Sequence, residues 1–213
     1  MKKTPKIIII NPNSDSAMTK KIKATAEKFA GDNFDVVCLP TPDAPRFIET
    51  REDEALAAPG MIRLVRENDE KCAVFIIACH CDPNLDFIKK ITKKPVIGIG
   101  EASMRLATML GNRFAIIQAT KDSIPIKEAL VRKYQLRGRM ASVRAPRQDR
   151  PGLSDEDSYI TEAKAAIAED RADVIILGCA GMTGLDQRMQ DELGVPVLDG
   201  VLCALLFAMA LTT

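Results

Sequence analysis

Ala73–Asp82, AVFIIACHCD, and Ala172–Gly181, ADVIILGCAG, decide how this chain is read. Each is a short β-branched run that buries itself and then stops at a cysteine, Cys79 in the first and Cys179 in the second. Fully apolar runs of this length are the signature of strands in a parallel sheet covered on both faces.

Working outward, the two stretches prove to be parts of longer parallel segments. AVFIIACHCD leads to KKPVIGIGEASMRLATMLG, and ADVIILGCAGM leads to LGVPVLDGVLCALLFAMAL. Pro95 follows Cys79 by 16 residues, Pro196 follows Cys179 by 17, and an apolar helical stretch comes after each. Upstream, KIIIIN (Lys6–Asn11) parallels RFAIIQ (Arg113–Gln118), so each half opens with a strand ending in a side-chain amide. With DVVCL and MASVR added, eight strand-like runs alternate with helical patterns such as Met18–Ala30 and Ser154–Asp170. The expected fold is α/β, with two pseudo-symmetric parallel-sheet lobes of Rossmann or flavodoxin-like type. The first lobe should span residues 1–98 with about 200–213, and the second about 99–199.

Ligands of such sheets bind beyond the carboxyl ends of the strands, where Cys79 and Cys179 stand. Two lobes facing one another would set the cysteines on opposite walls of one cleft, the expected active site. Asp82-Pro83 reads as the start of a helix beside Cys79, and Thr183 as a cap for a helix from about Gly184. Both thiols would then feel a helix dipole that favours thiolate. Cys38, Cys72 and Cys203 read instead as small core hydrophobes.

Composition narrows the chemistry. The 213 residues are 46% hydrophobic and 28% charged with a net charge of +1, giving no global pull toward nucleic acid or anionic lipid. A small-molecule substrate is the expected partner. The basic stretch Arg132–Arg150 reads as a solvated helix face and loop, with steering of an anionic substrate as its alternative. MKKTPKIIIINPNS is too short in its apolar part for a signal peptide, and VLCALLFAMAL is too short to span a bilayer. A cytoplasmic protein with reduced thiols follows as the expectation.

Cys79-His80-Cys81-Asp82 could suggest a metal, but His80 is the only histidine and no second ligand pair has zinc spacing, so no metal is expected. The same shortage argues against a cysteine or serine triad. GIGEAS lacks the third glycine of a dinucleotide motif. Along an extended strand Cys79 and Cys81 would point the same way, which makes Cys81 a neighbour of the pocket. Glu101 and Asp199, after the two PV strands, could form a carboxylate pair; capping or loop anchoring is the preferred reading.

Seven further segments bring a known family into view: INPNSDSAMT (Ile10–Thr19), PRFIETREDEALAAPG (Pro45–Gly60), ACHCDPNL (Ala78–Leu85), PVIGIGEAS (Pro95–Ser103), SIPIKEALVRKYQLRGRMASVRA (Ser123–Ala145), LGCAGM (Leu177–Met182) and GVPVLDGV (Gly194–Val201). Across nearly its full length the chain resembles the hydantoin and allantoin racemase branch of the aspartate/glutamate racemase superfamily. The resemblance implies a cofactor-independent racemase with Cys79 and Cys179 as paired acid and base, probing one stereocentre from two sides, and a homo-oligomer. Phe47–Gly60, which carries the family's acidic motif, should border the cleft or a subunit interface without acting chemically.

Asn11 and Ser14 are the side chains expected to help main-chain amides, including those of Ala180 and Gly181, hold an enolate. GCAGM favours a cyclic ureide over an amino acid. His80-Cys81 stands where this branch usually has Phe-Gly, and Gln118-Ala119 where it has Thr-Thr. These four residues should line the pocket and alter its fit to a ring. An amino-acid racemase, a malonate decarboxylase, a maleate isomerase and a non-catalytic small-molecule-binding module are the alternatives. Decarboxylation needs only one proton-donating cysteine, so the presence of two argues for racemisation.

Overall fold

The computed structural model describes residues 4–146 and 154–212. All eight apolar runs are strands: β1 (Lys6–Asn11), β2 (Asp35–Pro40), β3 (Val74–Ile77), β4 (Val96–Gly98), β5 (Phe114–Ile117), β6 (Met140–Arg144), β7 (Val174–Leu177) and β8 (Val197–Asp199). They form two four-stranded parallel sheets of matching order, β2-β1-β3-β4 and β6-β5-β7-β8. The helices are α1 (Ser16–Ala30), α2 (Arg51–Asn68), α3 (Leu85–Ile91), α4 (Ile99–Leu110), α5 (Ile124–Lys133), α6 (Asp155–Asp170), α7 (Asp186–Leu193) and α8 (Gly200–Thr212). The chain divides into unit 1, residues 1–102 with 201–213, and unit 2, residues 103–200. It passes to unit 2 within α4 and returns at the start of α8.

Strand alternation builds the cores. In unit 2, Ala115, Ile117, Ile175 and Leu177 pack with α6 residues Ile160, Ala163 and Ala166. Phe114, Ile116, Val174 and Ile176 point the other way, onto Met104, Leu130 and Val131. In unit 1, Ile8, Ile10, Phe75 and Ile77 meet Ala57, Met61 and Val65 of α2. Ile7, Ile9, Val74 and Ile76, on the opposite face, are equally buried. Two-sided burial explains why these strands are continuously apolar.

The acidic motif of Phe47–Gly60 leads into α2 and forms its first turns. The Thr50 side chain accepts from the Asp53 amide at 3.1 Å, and the Asp53 carboxylate accepts from the Thr50 amide at 2.8 Å, a reciprocal cap. Within Arg132–Arg150 the solvated reading holds for Arg132 and Lys133 but not for two arginines. Arg139 donates to carbonyls at the end of α4, among them Asn112 O at 2.6 Å, and Arg144 pairs with Asp170 at 2.6 Å and Glu169 at 2.5 Å. Residues 147–150 of that stretch lie outside the described residues. α8 buries Val201, Cys203, Ala204, Leu205 and Ala208 but exposes Leu206 and Leu211, so its apolar run is only partly core. No helix among the described residues is long and apolar enough to cross a membrane.

Candidate active site

The repeat is closest around the two cysteines. From Lys71 to Pro83 and from Arg171 to Thr183 the pattern of buried, half-buried and exposed residues is the same position by position. The main-chain bonds repeat as well. The amide after each strand, Ala78 or Gly178, donates across the sheet to Ile10 or Ile117 at 2.8 Å. Cys79 O then accepts from the Asp82 amide at 2.9 Å, and Cys179 O from the Met182 amide at 3.0 Å. Each cysteine therefore heads a tight turn, half-buried, beyond the carboxyl end of an inner strand. Cys79 packs on the unit 1 core and Cys179 on the unit 2 core.

The helices are not where the sequence placed them. Asn84, left-handed at φ 58°, precedes α3 and makes no side-chain cap, while Asp82, itself left-handed at φ 48°, reaches away to α4. Its Oδ1 accepts from the Gly100 amide at 2.9 Å and its Oδ2 from the Glu101 amide at 2.7 Å. In unit 2, α7 starts only at Asp186. Thr183 donates its hydroxyl to Asp199 instead of capping α7, and the Gly184 amide donates to the same carboxylate at 3.0 Å. At Cys179 a main-chain amide meets the sulfur: Gly181 N–H donates to Sγ at 3.4 Å.

Glu101 and Asp199 serve separate structures, since Glu101 pairs with Lys89 at 3.1 Å and Asp199 holds Thr183 and Gly184. Loop anchoring describes Asp199, whereas Glu101 forms an ion pair between α3 and α4.

Asn11 ends β1 fully buried, its Nδ2 donating to Asn13 Oδ1 at 2.7 Å and Thr19 Oγ1 at 2.9 Å. Ser14 is half-buried and its amide donates to Pro45 O at 3.1 Å. His80 is buried and Cys81 half-buried. Together these residues occupy the ends of the neighbouring strands β1 and β3. Gln118, beyond β5, donates from Nε2 to Gly178 O at 2.8 Å, one residue before Cys179. Ala119 is exposed, Ala180 buried and Gly181 half-buried, all at the ends of β5 and β7. Among the described residues, no group of three or more His, Cys, Asp or Glu side chains is placed to hold a metal ion.

Burial pushes the Cys38 thiol up to about 12 and the Cys72 thiol up to about 11. Tyr159 of α6, which the sequence reading missed, packs on the same core as Cys179. Its hydroxyl is pushed up to about 12, by burial first and then by negative charge at Asp155 and Cys179. A tyrosine in an amphipathic helix gives no signal of this, because its neighbour lies on another element.

The chain matches the Asp/Glu/Hydantoin racemase family over residues 7–208. It belongs to that family. It is 36% identical to the hydantoin racemase of Pseudomonas sp. (strain NS671) over 209 residues, 95% of this chain and 84% of that one. With the hydantoin racemase of Rhizobium meliloti it shares 37% identity over 213 residues, 96% and 88% of the two chains. Among solved structures, allantoin racemase from Klebsiella pneumoniae superimposes with a TM-score of 0.91 at 32% identity, covering 98% of this chain and 87% of that one. Membership makes the protein an isomerase of the racemase type, and the two-sheet α/β fold is the fold of the family.

Proposed function

We propose that the protein racemises a cyclic ureide, a 5-substituted hydantoin or allantoin, without a cofactor, using Cys79 and Cys179 as interchangeable acid and base. The observation that carries this is the equivalence of the two cysteine turns, which share strand position, burial and main-chain bonding. Racemisation needs that equivalence, because the reaction run backwards is the same reaction on the mirror image.

One cysteine is thiolate and takes the proton from the ring stereocentre. The electron pair of the broken C–H bond moves into the adjacent carbonyl to give an enolate. The other cysteine, a thiol, returns a proton to the opposite face, leaving the pair with its roles exchanged. A thiol suits both roles because its ordinary range lies near working pH. Main-chain amides following each cysteine are proposed to hold the enolate oxygen. The flanking ring carbonyl and ureide nitrogen already acidify the carbon, so the protein supplies position, charge and exclusion of water.

The test uses single enantiomers of allantoin, a 5-alkylhydantoin and aspartate in deuterated water, with enzyme-free controls because the ureides racemise unaided. Optical rotation and deuterium at the stereocentre are followed together. Enzymatic racemisation with deuterium uptake is expected on a ureide and not on aspartate. Cys79→Ser and Cys179→Ser should each lower it by about a hundred- to ten-thousand-fold. Substantial turnover in either variant would sink the two-base assignment.

A further inference from the structure

Each cysteine turn is tied to the end of the next strand by one carboxylate. In unit 1 the tie is Asp82, three residues beyond Cys79 and only 3% exposed, with an oxygen on each of the Gly100 and Glu101 amides that follow β4. In unit 2 it is Asp199, the last residue of β8 and 4% exposed, which accepts from the Thr183 hydroxyl and the Gly184 amide beyond Cys179. The carboxylate thus sits on the turn in one unit and on the strand in the other.

The two ties bridge the same joint. Gly98 pairs with Ile77 as Asp199 pairs with Leu177, so they are equivalent positions. A side chain at Gly98 would run into the Asp82 carboxylate, which occupies the space that position 199 fills in unit 2. Asn84 and Gly184, five residues beyond each cysteine, both have left-handed backbones, φ 58° and φ 84°. Different residues reach the same bridge. A buried carboxylate is costly unless its oxygens are satisfied, so each tie also fixes where its donors must stand.

We infer that Asp82 and Asp199 are positioning residues for the racemisation, each setting the placement of one thiol through the turn that carries it. This rests on the two-cysteine reading above. Because each tie serves a single cysteine, loss of either should act on one proton transfer and leave the other alone.

That selectivity has a kinetic signature which a general loss of structure lacks. The two enantiomers have equal free energy, so kcat/KM must fall by the same factor for both, expected to be about 10–100-fold for a thiol displaced by less than an ångström or so. Primary isotope effects from substrate deuterated at the stereocentre need not move together. If Asp82→Asn slows transfer at Cys79, the enantiomer deprotonated by Cys79 shows a larger effect. For its mirror image, cleavage at Cys179 becomes a fast earlier step, and the effect shrinks toward its equilibrium value. Asp199→Asn should reverse the asymmetry.

The experiment measures isotope effects for both enantiomers of a 5-alkylhydantoin in wild type, Asp82→Asn and Asp199→Asn. Alongside it, peptide mass spectrometry follows alkylation of Cys79 and Cys179 by iodoacetamide without substrate. Asp82→Asn is expected to change the rate at Cys79 several-fold and spare Cys179, and Asp199→Asn the converse. Asp82→Glu and Thr183→Val serve if either asparagine variant fails to fold, judged by circular dichroism. Thr183→Ser, which keeps the hydroxyl, should behave as wild type. Isotope effects that shift alike in both variants, or alkylation that changes at both thiols or neither, would overturn the inference. A wild type inert toward ureides would instead overturn the racemase reading, and the alkylation arm would still decide the positioning roles.

Discussion

In unit 1 the inner strand β1 ends in Asn11 and the neighbouring strand is followed by Ala78; in unit 2 the matching residues are Gln118 and Gly178. The longer amide of Gln118 reaches the Gly178 carbonyl, and the space it crosses is where a Cβ at 178 would stand. The shorter Asn11 turns to Asn13 and Thr19 and leaves room for the methyl of Ala78, which is fully buried. The same exchange of bulk recurs at the next joint, where Gly98 faces Asp82 and Asp199 faces Thr183. Two copies of one frame therefore differ in compensating pairs. What persists is the filled space and the satisfied polar group, not the residue.

If that is the rule, copying half of a pair across units should fail and copying both halves should partly recover. The largest effect is expected at the strand end. Gly98→Asp sets a second carboxylate against Asp82 in a buried site, which should cost about 3–5 kcal/mol, the range for an uncompensated buried charge. Adding Asp82→Gly, which suits the left-handed backbone there, should recover at least about 1 kcal/mol relative to the sum of the single changes. Urea unfolding of the four proteins gives the coupling directly. Additive effects would mean that the two units do not use one joint.

A smaller effect is expected one strand over. Gly178→Ala drives a methyl into the Gln118 amide and should cost about 1–3 kcal/mol, as overpacking does. Gln118→Asn in the same chain, which recreates the Asn-Ala pair of unit 1, should relieve most of it. The reverse change in unit 1, Ala78→Gly, leaves no clash and should cost only about 0.5–1 kcal/mol. Thermal unfolding of the three variants tests the ranking, and an Ala78→Gly cost equal to that of Gly178→Ala would break it.

These joints also mark where sequence stops being readable. The sheets were legible because their signal is local: eight runs such as KIIII and VIIL each carry their own apolar pattern, and all eight are strands. Cys79 and Cys179 were legible because the internal repeat places them at equal strand ends. The partner of Asp82 was not. Asp-Pro three residues after Cys79 has the pattern of a local cap, yet the carboxylate binds amides 18 and 19 residues further on. Nothing in local periodicity reports a contact of that range. The one available signal was the mismatch inside the repeat itself, Gly98 against Asp199. A small residue opposite a carboxylate in equivalent strands implies that another group fills the gap.

The last effect is read against pH, at two cysteines away from the paired turns. Cys38 and Cys72 are raised to about 12 and about 11, with burial the leading cause, against an ordinary value of 9.0 that the unfolded chain should approach. Below pH 9 both states hold the proton and the thiols add no pH dependence. Above it the unfolded chain loses protons that the folded chain keeps, so stability falls as pH rises from about 9 toward the folded values. At pH 10 each thiol should account for about 1 kcal/mol of lost stability. Cys38→Ala and Cys72→Ala remove a constant amount of packing at every pH, so the readout is slope. Each variant should lose less stability than wild type between pH 8 and pH 10 by about that amount. Parallel slopes would mean that these two thiols ionise in the fold as freely as outside it.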